Sequence, residues 1–401
     1  MYDIIIIGGG ASGLICAAKL TELSNKRILL LEKNEKLGKK ILVTGNGRCN
    51  LSNKNLSSSN YHSKGNIEKF LKNFKETNIL EYFSTIGLET TLINDGYYPF
   101  SKEATTVLDT LLLKINESNI TVKTDNEVLS IQKEDNYIVK TSNETFTSKV
   151  IVFAIGGLSS RLGHNNYSLL TNLGHTLVET KPALVALTTD SNLLQYLKGL
   201  RVDGKVSLKI NGNIIKEERG QIQFNEDNLS GICIMNLSYL VSRDNNSELV
   251  IDLVPELSIE ELKSKLLNRR ENFNERIIDF FLTGLFSKKI SFSLYQKLNI
   301  KIDKKVKDLT DQEIDLLVKE IKNFTFKITG TDTYEASQVT SGGVNILEVD
   351  ENYESIINKD LFITGEVLDI TGDCGGYNLH FAFNSGLIVA DYILKKLEEE
   401  L

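Results

Sequence analysis

Three glycines spaced Gly8-x-Gly10-x-x-Gly13, with Glu32 nineteen residues after the last of them, carry the most specific chemistry in this chain. In such a spacing the first glycine permits a tight turn and the second lets the backbone approach a pyrophosphate. The third lets a helix pack closely on a strand. A helix starting there offers free N–H groups and the positive end of its dipole to phosphate. Glu32 supplies a carboxylate that accepts from an adenosine ribose and repels a 2′-phosphate, so the pattern predicts FAD or NAD rather than NADP.

A glycine loop alone is common, and its neighbours decide whether it means anything. Asp3 to Ile7 is an apolar run of the kind found in strands covered on both faces. Ala11 to Leu23 is helix-prone, and Arg27 to Leu31 returns as a second buried strand that ends at Glu32. Strand, glycine turn, helix and strand make a parallel βαβ unit with the acid in the ribose position.

The far end of the chain separates FAD from NAD. Leu361 to Thr364 is an apolar strand closed by Gly365-Glu366, and Gly372-Asp373-Cys374-Gly375-Gly376-Tyr377-Asn378 opens a final helix. A carboxylate at that strand end can accept from ribityl hydroxyls. A helix start near Gly376 to Leu379 can face the N1–C2=O edge of a flavin and favour negative charge there. Taken alone, this segment reads as a glycine-capped turn.

Between these ends, Gly38 to Asn60 is rich in Gly, Asn and Ser and is too long for a simple connection. Within it, Lys39, Thr44, Gly45, Gly47, Arg48, Cys49 and Asn50 are placed to line a pyrophosphate and a ring, with Arg48 offering a planar donor fork. Gly45-Asn46-Gly47 is also compatible with a plain type I′ turn.

The remaining chain must position these segments. Ile67 to Ile86 and Thr105 to Asn116 read as helices, and strands follow near Thr121–Val128 and Tyr137–Thr141. Lys149 to Ala154 is a buried strand closed by Gly156-Gly157. After Pro182 the texture changes. Lys205 to Ile215 alternates around Asn211-Gly212 as a hairpin, Gln221 to Phe224 reads as a strand, and Ile232 to Ser242 as a helix. Ser258 to Phe324 is helical and charged, opened by a Ser258–Glu261 capping box. The outer segments thus form one α/β domain, interrupted by an insertion of different architecture between a break near Pro182 and a return near Glu335. No internal repeat is visible.

The chain has 401 residues, 41% hydrophobic and 25% charged, which is ordinary for a globular protein able to bury a large core. A net charge of −7 argues against nucleic-acid binding through a broad basic field. The lysine-rich run Lys301–Lys307 is read as a solvated helix face, with an RNA or anionic-partner patch as the alternative. No apolar run reaches the roughly 18 residues a membrane helix needs, and Met1 leads almost directly into the first strand. Cys16, Cys49, Cys233 and Cys374 lie far apart without metal-ligand spacing. A reducing, cytoplasmic setting without a structural metal is expected. Cys49 and Cys374 both sit in flavin-site segments, yet on separate loops, which argues against a redox pair. Cys16 and Cys233 read as small core residues.

The chain resembles the bacterial FAD-dependent oxidoreductases of the BaiN/YhiN type, the aminoacetone oxidase-like flavoproteins. The matching stretches are IIIIGGGASGLICA from Ile4, LEKNEKLGKKILVTGNGRCNLSN from Leu31, VIVFAIGGLS from Val150, ASQVTSGGV from Ala336 and LFITGEVLDITGDCGGYNLHFAFNSG from Leu361. The resemblance implies an α/β, Rossmann-like FAD-binding domain built from residues 1–185 and 335–401. It also implies an inserted domain over 186–334, β-barrel-like across 186–254 and helical across 255–325. The implied cofactor contacts are Gly8, Gly10, Ala11, Ser12, Gly13, Glu32, Lys33, Gly38, Lys39, Thr44, Gly45, Gly47, Arg48, Cys49 and Asn50 from the first part. Ala154, Gly156, Gly157, Gly365, Glu366, Asp369, Gly375, Gly376, Tyr377, Asn378 and Leu379 complete the set. Thr340, Ser341, Gly342 and Gly343, together with Arg48, are candidates for polar groups on the substrate side.

This chain also departs from the family pattern. The family's Phe-Thr-His-x-Gly-x-Ser-Gly-Pro run is here Phe224 to Ile232 with neither His nor Pro, and His380 stands where Gln is usual. The implied activity is hydride transfer through flavin N5 to or from a small organic substrate, with NADH or NADPH as a transient electron donor. The alternatives are an oxidase that uses oxygen and a flavin-holding RNA or partner module acting through the insert. No catalytic acid or base and no oligomeric state is assigned.

Overall fold

The computed structural model describes residues 1–71, 76–159, 166–241 and 246–398. The chain divides into two compact units, one formed by Met1–Pro182 with Tyr334–Leu401 and the other by Ala183–Thr333.

The first unit is built on a seven-stranded sheet. Its centre is strand Tyr2–Ile7, paired in parallel with Ile28–Leu31 on one side and Thr145–Phe153 on the other. Thr121–Lys123 extends the sheet in parallel beyond Ile28–Leu31, and Leu361–Ile363 pairs in parallel with the end of Thr145–Phe153. Tyr137–Thr141 and Val128–Lys133 add an antiparallel flank. The register aligns Ile7 with both Leu31 and Phe153, and Phe153 with Ile363, so four parallel strands end at one edge. That edge is where open α/β sheets bind ligands. Ile4 to Ile7 and Ile28 to Leu31 are buried throughout, which explains their unbroken apolar runs.

Two helices meet against this sheet. Helix Ala11–Leu20 follows the first strand, and the C-terminal helix Tyr377–Glu398 runs across it at Gly386. A Cβ on Gly386 would stand 2.3 Å from the Ser12 carbonyl oxygen, so only glycine allows this crossing.

The second unit carries an antiparallel seven-stranded sheet. Its path begins with Phe324–Ile328 and ends with Gly330–Thr331, two strands separated only by Thr329, so the sheet closes on itself as a small barrel. The hairpin Arg201–Ile210 with Asn213–Phe224 turns at Asn211-Gly212, both with positive φ as a type I′ turn requires. Gln221 to Phe224 is the end of that hairpin's second strand rather than a separate piece. Helices Ile259–Asn272, Lys288–Leu298 and Asp311–Lys322 form the helical part. The Ser258–Glu261 capping box is present in both directions, at 3.1 and 2.8 Å.

Two expected helices differ, and a third lies partly outside the described residues. Ile67 to Ile86 comprises Glu68–Leu71 and Glu76–Thr85, with 72–75 outside the described residues. Ile232 to Ser242 is only a short helix, Ile232–Met235, and a 3-10 turn, Ser238–Leu240, because the Ser238 hydroxyl donates to the Met235 carbonyl. Ser242 lies outside the described residues. Lys301 to Lys307 is not α-helical either, with only a 3-10 turn beginning at Val306. Its backbone bonds to the 274–278 segment, with Ile278 N–H donating to Lys304 O and Val306 N–H to Arg276 O. No helix among the described residues is long and apolar enough to cross a membrane.

Candidate functional site

A cleft in the first unit opens at the carboxyl edge of the parallel strands and encloses about 1430 Å³ of empty space, part of it open to solvent. Its lining includes Gly8, Gly10, Ala11, Ser12, Glu32, Lys33, Gly38, Lys39, Thr44, Ala154, Gly156, Gly157, Glu366, Asn378 and Leu379. These fifteen predicted residues come from four chain segments that the sheet order brings together.

The three glycines of the first turn divide the work. A Cβ on Gly8 would lie 2.4 Å from Ala154 O, and φ there is +109°; a Cβ on Gly13 would lie 1.9 Å from Gly8 O. Both are demanded by the protein's own packing. Gly10 is different: its φ of −88° suits any residue, and a Cβ there would meet nothing within 4 Å. It would point into free space beside the cleft. Among the described residues nothing requires glycine at this position, whereas a ligand lying against the turn would. Helix Ala11–Leu20 has no side-chain cap and no acid in its first turn, so its leading N–H groups remain available there.

Glu32 is 8% exposed at the end of the second strand. Its Oε2 accepts from Gly9 N–H at 2.8 Å, and Oε1 accepts from Asn34 N–H at 2.9 Å and Asn34 Nδ2 at 2.5 Å. The carboxylate is thereby fixed at the turn with acceptor capacity left for a ribose. Burial pulls the Lys33 ammonium below its ordinary range, against the pull of Glu32 and Glu127.

Across the cleft, Glu366 anchors a closed network. It accepts from Lys40 Nζ at 2.6 Å, Ser159 Oγ at 3.0 Å and Thr340 N–H at 2.8 Å, and Lys40 Nζ also donates to Ser159 Oγ at 2.5 Å. Lys40, which stands in the loop expected to line a pyrophosphate but not among the expected contacts, and Ser159 both line the cleft beside Gln338 and Val339. Asn378 locks the loop before the C-terminal helix by donating to Gly372 O and accepting from Gly372 N–H, both at 2.8 Å.

The other predicted residues do not line this cleft. Gly13 lies beneath the turn and Gly365 (φ +79°) packs on Ser12, so both support its walls from behind. Gly45 and Asn46 adopt left-handed geometry, and Gly47 completes the exposed turn. Arg48, expected near a ring, lies at that turn instead, with its guanidinium 5.3 Å from the Tyr98 ring. Cys49 is fully buried, and burial pushes its thiol pKa up to about 12, which disfavours the thiolate. Asn50 fills the space beside Gly96 and Gly376. Asp369 is buried, accepts from Ser63 Oγ and Lys64 N–H, and has its acidity weakened by burial. Gly375 (φ +128°) and Gly376 (φ +99°) make the turn into the helix, and Tyr377 packs edge-on against Tyr61.

Thr340 to Gly343, expected on the substrate side, do not line this cleft. Thr340 is 1% exposed, and its hydroxyl accepts from Leu158 N–H and Ser159 N–H. Ser341 lies outside the cleft lining, while Gly342 and Gly343 pack against the backbone at Glu179 and Val367. His380 is buried at the start of the C-terminal helix, with Nδ1 2.9 Å from Ser52 Oγ, and burial pulls its pKa down to about 3. It is neutral and structural.

The family model described as HI0933-like protein Rossmann domain matches residues 2–392. Among curated proteins, the chain is 30% identical over 400 residues to a 3-dehydro-bile acid delta(4,6)-reductase of Clostridium scindens, covering 97% of this chain and 98% of that one. It is 28% identical over 407 residues to a ribosomal RNA dihydrouridine synthase of Escherichia coli, covering 98% of both. Among solved structures, a 3-ketosteroid delta1-dehydrogenase from Sterolibacterium denitrificans aligns over 98% of this chain and 99% of its own, at 12% identity and a TM-score of 0.49.

Proposed function

The chain belongs to the HI0933-like Rossmann family of FAD-binding oxidoreductases, and on that premise we propose that it reduces a carbon–carbon double bond conjugated to a carbonyl group in a small organic molecule. The overall reaction consumes NADH or NADPH, one proton and the unsaturated compound, and yields oxidised nicotinamide and the saturated product. The names of the two curated relatives both denote hydrogenation of a carbon–carbon double bond, which supports this choice of bond.

The observation that carries the dinucleotide reading is Gly10, a glycine with ordinary φ whose added Cβ would meet nothing within 4 Å among the described residues, in a turn whose other two glycines are fixed by packing; FAD as that dinucleotide follows from the family. When bound, FAD supplies hydride acceptance and donation at N5. The residues of this chain bind and orient. Glu32 would take the ribose hydroxyls, and the first turn of Ala11–Leu20 would take the diphosphate. Asn378 and Leu379, in the first turn of the C-terminal helix, put a positive dipole end beside the distal part of the cleft.

Anaerobic mixing of the yellow protein with NADH and with NADPH tests the donor. Bleaching by one of them, followed by recoloration with a conjugated enone, is the expected course. Flavin that stays oxidised with both, yet is bleached by a saturated substrate and recoloured by oxygen, would replace this reading with an oxidase.

A further inference from the structure

Among the described residues Lys40 keeps one ammonium donor unused in the cleft. Its ammonium has three N–H groups, of which one goes to Glu366 Oε2 and one to Ser159 Oγ. The same Glu366 is held by Ser159 and Thr340 N–H, so the ammonium is fixed by a network that does not depend on solvent. Lys40, Ser159 and Glu366 all line the cleft.

The backbone around the network fixes which part of the cleft it faces. Gly38, two residues before Lys40, donates its N–H to Gly9 O at 2.8 Å, inside the glycine turn. Gly365, the residue before Glu366, packs against Ser12, and its Cβ would stand 2.6 Å from Ser12 Oγ. One end of the ion pair is therefore tethered to the glycine turn and the other lies against the first turn of helix Ala11–Leu20. Resting on the FAD reading, we propose that Lys40 is the cation that receives the dinucleotide diphosphate. Glu366 and Ser159 act as its holders, which replaces the role of ribityl acceptor expected for Glu366.

The physical case is charge balance. A diphosphate brings negative charge into a cleft whose lining carries Glu32, Glu127 and Glu366 alongside Lys33, Lys36, Lys39 and Lys40, and of these lysines Lys40 is the one held by Glu366. The helix N-terminus contributes only partial charge. Lys40 offsets Glu366 and leaves a charge-assisted N–H for the ligand, in a partly desolvated place where such bonds are strong.

The test is calorimetric titration of FAD-stripped protein with FAD, ADP and AMP, comparing wild type with Lys40→Met and Lys40→Arg. Wild type is expected to bind ADP more tightly than AMP. Lys40→Met should weaken FAD and ADP by a similar factor, about tenfold to a hundredfold, and AMP by less. Its ADP affinity should also fall less steeply with added salt. Lys40→Arg should recover part of the loss, and circular dichroism should show both variants folded. Unchanged ADP affinity in folded Lys40→Met, with FAD still bound by wild type, overturns the proposal. Wild-type protein that binds neither FAD nor ADP overturns the FAD reading beneath it.

Discussion

Glu32 holds Gly9 with one carboxylate oxygen and Asn34 with the other, so it shapes the turn as well as offering acceptors to a ribose. Glu32→Arg should weaken FAD retention at least tenfold, since each lost charge-assisted bond contributes about 1.5–3 kcal/mol; flavin-to-protein absorbance ratios check this, and an equally yellow variant contradicts it. His380 sets a pH dependence. Its folded pKa of about 3 lies below the ordinary value of 6.5, so only the unfolded chain takes up its proton across that interval. Stability should be fully present above about pH 6.5 and fall as pH drops toward 3, by at most about 1.4 kcal/mol per unit. Denaturant midpoints of His380→Gln should lose that slope. Local spacing made Glu32 and the glycines legible. Lys40 was not, because its meaning lies in Glu366, 326 residues away.

The crossing of Ala11–Leu20 with the C-terminal helix fixes both helix starts that border the cleft. Gly386→Val should force them apart, because its Cβ would already be 2.3 Å from Ser12 O. A destabilisation of about 1–3 kcal/mol is expected from such overpacking, read as a lowered Tm together with reduced flavin content. An unchanged Tm would mean that the crossing is loose. At this scale strands with continuous apolar runs and the Asn211-Gly212 hairpin were legible, since burial on both faces and a type I′ turn leave direct marks. The two overextended helices were not. In Ile232 to Ser242 a serine hydroxyl competes for a backbone carbonyl, and in Lys301 to Lys307 the backbone bonds to a distant segment, which no local periodicity records.

The unit Ala183–Thr333 contains 22 Lys and Arg against 22 Asp and Glu, so the overall charge of −7 belongs to the other unit. Its lysine-rich run is matched by acids: Lys305 and Lys307 both meet Glu275, and Lys304 meets Glu313 at 3.2 Å. Binding of RNA through phosphate contacts would need free cations. The full chain should therefore show no salt-dependent retention of a structured RNA in filter binding at physiological ionic strength, and a steep salt slope would favour the RNA alternative. The broad organisation was readable because the α/β texture stops near Pro182 and resumes near Glu335. The barrel in the insert was expected through the family resemblance over 186–254, but its use of Phe324–Thr331 was not legible, because closure joins strands far apart in sequence, Leu187–Thr188 pairing with Gly330–Thr331. The central claim is that a dinucleotide flavin lies against the glycine turn. Its most direct test is the absorbance spectrum and Tm of purified Gly10→Val beside wild type. Wild type should be yellow with released FAD, and the variant colourless yet equally folded, since a Cβ there meets nothing within 4 Å among the described residues. A variant that retains full FAD would contradict the account.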